Sequence, residues 1–214
     1  NKGSEALVGP HIGDLENAST HKTLEWTIER YKNLFSIQPE KIIIDSHPQF
    51  FSSRLGERIG ESFHLSVIPV QHHHAHIASV MAEHNLRGLV LGIAMDGTGY
   101  GPDGTIWGGE FLLGDESGYE RVGSITPFIH AGGDIASKEG WRIAYSMIST
   151  ALGSEAANRI GETLGLGDEK GRQSIDFMLG NNINTVKSTS AGRLFDAVSA
   201  VLGIKSASTF EGEA

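Results

Sequence analysis

The sequence predicts an α/β protein of two lobes, and three observations carry that reading. Two short β-branched runs, KIIID at 41–45 and SVIPV at 66–70, each stand beside a segment of helical spacing. A continuous apolar run, LVLGIAM at 89–95, leads into two further strand-like segments, and helical spacing returns from about residue 135. Strands followed by helices twice over place a border near residues 85–88, giving lobes at 1–86 and 87–214.

Taken in order, residues 18–35 read as a helix with Leu24, Ile28 and Leu34 toward one side and with Asn17, Ser19 and Thr20 as capping candidates. After Pro39 the KIIID strand ends in Asp45, and SHPQFFSSRLGERIG reads as a loop that turns into a helix. SVIPV is the second strand. A helix from 72 to 84 follows directly, marked by Ile77, Val80 and Met81. Residues 89–125 read as a three-stranded meander, with DGTGYGPDGT and a second turn separating LVLGIAM, IWGGEFLLG and YERVGSI. Helices are expected at 136–151, 156–164 and 191–202.

Composition narrows the function. The 214 residues hold 28 glycines, close to double the usual share of roughly 7%, so many turns or close backbone approaches are expected. Seventeen basic and 26 acidic side chains give a net charge of -9 with no basic segment, which argues against binding along a nucleic-acid backbone. No cysteine is present, so these residues supply neither a disulfide, a thiolate ligand nor a thiol nucleophile. The longest apolar run falls far short of the roughly 20 residues of a spanning helix, and no signal peptide is visible, so a cytoplasmic protein is expected. Asn1 is not a start methionine and FEGEA stops where a helical pattern begins, so a piece of a longer polypeptide, incomplete at both ends, is expected.

The sharpest chemical signal is VQHHHAHIASVMAEH. His72 and His76 lie four residues apart, on one helix face, where two imidazoles can converge on one ion. Imidazole nitrogen suits zinc and iron, and two nitrogens plus a carboxylate leave positions open for a substrate. His73 and His74 point to other faces of the turn, to pack or to bond a substrate. In AMDGTGYGPDGTIWGGE, Asp96 is expected at the end of a buried strand, where its carboxylate could complete the metal coordination. Gly97, Gly99 and Gly101 leave backbone amides uncovered, a basis for an anion site, while 102–104 read as a plain turn. In STSAGRLFDAVSAVLG, Gly192 and Asp196 share one face of an amphipathic helix. On its own, Asp196 reads as a solvated helix residue.

PHIGDLEN, DSHPQFFSSR, VQHHHAH, DGTGYGPDGTIWGGEF, GGDIASKEGWRIA and GRLFDAVSAVLGI with FEGEA occur in that order, and together they resemble the HypF family of hydrogenase-maturation carbamoyltransferases. The resemblance implies the actin and sugar-kinase type of fold, ribonuclease H-like in its lobes, shared with the tRNA threonylcarbamoyladenosine synthases and the O-carbamoyltransferases. It implies ATP and carbamoyl phosphate as substrates, carbamoyl-adenylate as the intermediate, and the C-terminal cysteine of the partner HypE as acceptor, toward the cyanide ligand of nickel-iron hydrogenases. It implies a divalent metal, iron or zinc, on His72, His76 and Asp96, with magnesium a possible companion of the ATP. Gly97, Thr98 and Gly99 would then lie near the phosphate, and Gly192 and Asp196 near the nucleotide. The family's cysteine-rich, acylphosphatase-like and adenylate-forming parts have no counterpart here, nor does the glycine-rich segment that follows FEGEA. Glu211 and Glu213 receive no role, and Trp141 and Arg142 read equally well as site-lining residues or as helix core and surface charge. Three other readings stay open: a phosphotransferase or ATPase of the same fold, a noncatalytic docking lobe with a structural metal, and a metal-dependent hydrolase.

Overall fold

In the computed structural model, residues 6–15, 17–210 and 212–213 are described, so Glu211 lies outside the described residues. Packing divides the chain into Asn1–Val70 and Gln71–Ala214. This border precedes the helix at 72–84, whereas the sequence reading sets it after that helix.

The first unit contains α1 (Ala18–Leu34), β1 (Lys41–Asp45), α2 (Phe51–Phe63) and β2 (Ser66–Val70). Asn17 caps α1 by accepting the Ser19 and Thr20 amides at 3.1 and 3.0 Å. Strands β1 and β2 pair in parallel, from Lys41 opposite Ser66 to Asp45 opposite Val70. Gly56 and Gly60 let α2 approach this pair at backbone distance, because a Cβ on either would fall 2.4 Å from Ile44 or 2.3 Å from Val67.

The second unit begins with α3 (His72–Glu83) and the meander β3 (Val90–Tyr100), β4 (Ile106–Asp115) and β5 (Gly118–Ser124). Next come β6 (Phe128–Ala131), a 3₁₀ turn (Gly133–Ser137), α4 (Gly140–Leu152), α5 (Ser154–Leu164), α6 (Glu169–Asn181), β7 (Thr185–Ser188) and α7 (Ala191–Val201). The sheet order is β3-β4-β7-β6, with β5 also on β4; β7 joins β4 in parallel through Ile106 and Ser188. The core gathers Tyr145, Ile143 and Ile175 from the helices and Leu166 from the loop after α5, with Phe128 and Ala131 from β6. One face of β3 is covered by α3, and Gly92 sits so close that a Cβ would fall 2.3 to 2.8 Å from the Ile77 side chain.

The sequence reading omits β6, β7 and α6. The two strands are four residues each and contain no alternation long enough to register, and α6 buries only Arg172 and Ile175 while Phe177 is exposed. Strand β3 runs on through the stretch expected to be a turn. Between the pairs Met95–Gly109 and Gly99–Trp107, three residues of β3 face one of β4, so Asp96, Gly97 and Thr98 bulge from the ladder.

Burial in this unit couples folding to pH. His130 on β6 is 3% exposed and contacts the Gly133 carbonyl through Nε2 at 3.0 Å, and burial holds its pKa below the ordinary 6.5. The unfolded chain therefore binds a proton more readily than the native one below about pH 6.5, and stability falls as pH drops through that value. Urea unfolding at about pH 7 and about pH 5.5 is expected to show this loss, with His130→Asn flattening the slope.

Candidate functional site

The site is built where the chain leaves β2 and turns into α3. Gln71 caps the helix, its Oε1 accepting the His74 amide at 2.9 Å, so α3 starts at His72 and places His72 and His76 one turn apart. The histidines then separate by task. His72 and His76 bring their Nε2 atoms to 3.2 Å from each other. His74 turns away and reaches the Asp115 carbonyl through Nε2 at 2.8 Å, tying α3 to the β4–β5 turn. His73 is fully buried behind them.

The β3 bulge turns Asp96 toward the same point. Its Oδ1 accepts the Gly97 amide at 2.6 Å, while Oδ2 lies 3.0 Å from His72 Nε2, 3.5 Å from His73 Nε2 and 3.6 Å from His76 Nε2. This oxygen is buried, and its shortest contact among the three is the one with His72. The contact with His72 outweighs burial and, with the Gly97 amide, holds the Asp96 carboxyl at about 2, so it is ionised at neutral pH.

The donor set fits a divalent cation. Ligand bonds of about 2.0 to 2.1 Å in tetrahedral array separate neighbouring ligand atoms by roughly 3.3 Å. The separations among His72, His76 and Asp96 are 3.0, 3.2 and 3.6 Å. Two imidazole nitrogens and one carboxylate oxygen are borderline-to-hard donors suited to zinc or iron, and three ligands leave the coordination open.

Beside Asp96 opens a cavity of about 390 Å³ lined by Asp96, Gly97, Gly192, Arg193, Phe195 and Asp196. The N-terminus of α7 points into it. Ser190 caps that helix by accepting the Arg193 amide at 3.0 Å, and its hydroxyl donates to the Gly97 carbonyl at 2.6 Å. Gly192 permits the contact, because a Cβ there would stand 2.9 Å from the Gly97 Cα. A helix N-terminus with glycine backbone on its far side suits a phosphate.

Asp196 is 6% exposed, buried where the sequence suggests solvation, and its Oδ2 is 3.0 Å from Arg193 Nε. Burial raises its carboxyl pKa, partly offset by Arg193. Thr98 and Gly99 do not line the cavity; Gly99 instead makes room for His73, whose Cε1 would lie 2.4 Å from a Cβ at that position. Trp141 is core, its Nε1 donating to Glu139 at 3.1 Å, and Arg142 pairs with the same carboxylate at 2.6 Å. Glu213 binds Lys205 and the Thr209 amide. Arg193, Ser190 and Gln71 escaped the sequence reading. A serine one residue before AGR and a glutamine just before the histidines were the available cap signals.

Residues 92–214 match the family model described as "Carbamoyltransferase, Kae1-like Domain, second subdomain", and residues 1–83 match the HypF Kae1-like domain. The chain belongs to the HypF family. Over its whole length it is 41% identical to carbamoyltransferase HypF of Rhodobacter capsulatus, covering 29% of that protein, and 36% identical to carbamoyltransferase HypF2 of Cupriavidus necator, covering 26%. It thus spans little more than a quarter of these HypF proteins. A crystallised full-length HypF in its phosphate- and nucleotide-bound form superposes with a TM-score of 0.84 at 39% identity, covering 94% of this chain and 31% of that one. HypF of T. kodakarensis superposes at 0.83 with 30% identity, covering 96% and 28%. The mixed α/β architecture is therefore that of HypF, in line with an actin or ribonuclease H-like fold. Among the described residues no helix is long and apolar enough to cross a membrane.

Proposed function

We propose that this chain forms the part of a cytoplasmic carbamoyltransferase that receives carbamoyl-adenylate, made from carbamoyl phosphate and ATP, and passes its carbamoyl group to the C-terminal cysteine of HypE in nickel-iron hydrogenase maturation. The observation that carries the reading is the meeting of His72, His76 and Asp96 at the rim of the cavity floored by the α7 N-terminus. A metal-binding carboxylate and a phosphate-suited helix end are thereby neighbours. The lobe border near 85–88 belongs to the proposal, since it falls between the two matched stretches 1–83 and 92–214.

In this reading His72, His76 and Asp96 hold iron or zinc, which when bound supplies a Lewis acid beside the carbamoyl carbonyl or the adenylate phosphate. Gly97, Thr98 and Gly99 lie near the phosphate, which the first amides of α7 also face. Gly192 and Asp196 border the nucleoside, and magnesium accompanies the ATP. The 214 residues contain no cysteine, so the acceptor sulfur comes from outside them. The thiolate forms a bond to the carbamoyl carbon, the bond from that carbon to the phosphate oxygen breaks, and AMP leaves. Ser190 and Gly192 keep the floor of the cavity fixed while this happens, since both touch the Gly97 backbone.

The test uses the full-length protein, carbamoyl-adenylate and a peptide ending in cysteine. The expected result is a peptide thiocarboxamide whose formation tracks AMP release. AMP released at the same rate without peptide would identify water as the acceptor and overturn the transferase reading.

A further inference from the structure

The third histidine of the cluster is neither exposed nor within the ligand triad, and its surroundings define the position of its hydrogen. The His74 amide can only donate, so the Gln71 atom that receives it at 2.9 Å is the carbonyl oxygen, Oε1. The other Gln71 atom is then the NH₂ group. It stands 3.1 Å from His73 Nδ1 and 3.3 Å from the Tyr100 carbonyl, which can only accept. His73 Nδ1 therefore accepts, and in the neutral ring the hydrogen sits on Nε2. That Nε2 is buried and faces Asp96 Oδ2 at 3.5 Å.

We infer that His73 is a positioning residue for Asp96: Gln71 fixes its tautomer, and its Nε2–H holds the Asp96 carboxylate with Oδ2 turned toward His72 and His76. The ring itself does not ligate, because the nitrogen nearest the triad carries the hydrogen. Gly99 is part of the device, since any side chain there would occupy the place of the His73 ring. A carboxylate in a metal site gains orientation from such an outer hydrogen bond, and loss of one typically costs 10- to 100-fold in metal affinity. The inference rests on the proposed metal site, but the tautomer does not.

Two measurements on the intact protein separate them. Nitrogen-15 spectra of histidine-labelled, metal-free protein are expected to show His73 with Nδ1 bare and Nε2 protonated; the opposite tautomer overturns the inference. Zinc titration is expected to show His73→Leu binding about 10- to 100-fold more weakly, and His73→Gln, which keeps an N–H near the Nε2 position, binding within a few-fold of the parent. Equal affinity in His73→Leu and the parent overturns it, as does a third imidazole in the pulsed electron-spin spectrum of the copper(II)-loaded parent. A parent that binds no divalent metal sinks the metal reading, and the nitrogen spectra then decide the His73–Asp96 contact alone.

Discussion

Asp96→Ala is expected to empty the metal site and to lower carbamoyl transfer by on the order of 10²- to 10³-fold or more, with His72→Ala close behind. Asp96 supplies the oxygen on which both ligand imidazoles converge, at 3.0 and 3.6 Å. Removing it leaves two imidazoles that also face each other across 3.2 Å, a poor chelate without the carboxylate charge. Metal content of the purified full-length variant and its rate of peptide thiocarboxamide formation give the check. His74→Ala is the matched control, because it removes an imidazole from the same turn that contacts the Asp115 carbonyl and the Tyr119 ring instead of the triad. It should retain metal and lose about 1 kcal/mol of stability. Asp96→Ala and His72→Ala variants that kept full transfer would refute the site, and unchanged ATP turnover together with lost metal would point to a phosphotransferase of the same fold.

The second large effect is on stability. Glu110 on β4 is fully buried and accepts the Gly108 and Gly109 amides at 3.0 and 3.2 Å, the Thr189 hydroxyl, and Arg121 Nε at 2.7 Å. Arg121 also reaches Asp103 at 3.2 Å and stacks over Trp107 at 4.2 Å. This one carboxylate joins β4, β5 and the segment that leads into α7. Glu110→Ala leaves the guanidinium, two amides and a hydroxyl without their acceptor, a change that costs about 3 to 5 kcal/mol and lowers Tm by about 10 °C. Glu110→Gln keeps an acceptor and should lose clearly less. Calorimetric melts of the three proteins decide it, and a loss below about 1 kcal/mol in the alanine variant would show that the network is solvent-compensated.

Much of the site was legible because its signals are local. The four-residue spacing of His72 and His76 requires only that α3 be a helix, and Ile77, Val80 and Met81 mark that helix directly after the β-branched strand. The meander announced itself through apolar runs split by glycine turns. Two things escaped. Asp96 read as a strand end is in fact the first residue of a bulge within β3, since a register shift is a property of two strands and not of one. Gly99, read as a bare amide for an anion, is small because His73 needs its space.

Residue types and their periods along the chain were enough to say that two imidazoles share a helix face, that a carboxylate and bare glycines follow a buried strand, and that no thiol is at hand. Local physics governs those statements. That Asp96 Oδ2 meets both imidazoles, that α7 aims its first turn at Gly97 from nearly a hundred residues away, and that Asp196 is buried beside Arg193 instead of solvated came only with the fold. Those contacts depend on strand pairing and helix packing between distant segments, and no spacing in a linear chain encodes the distance between them.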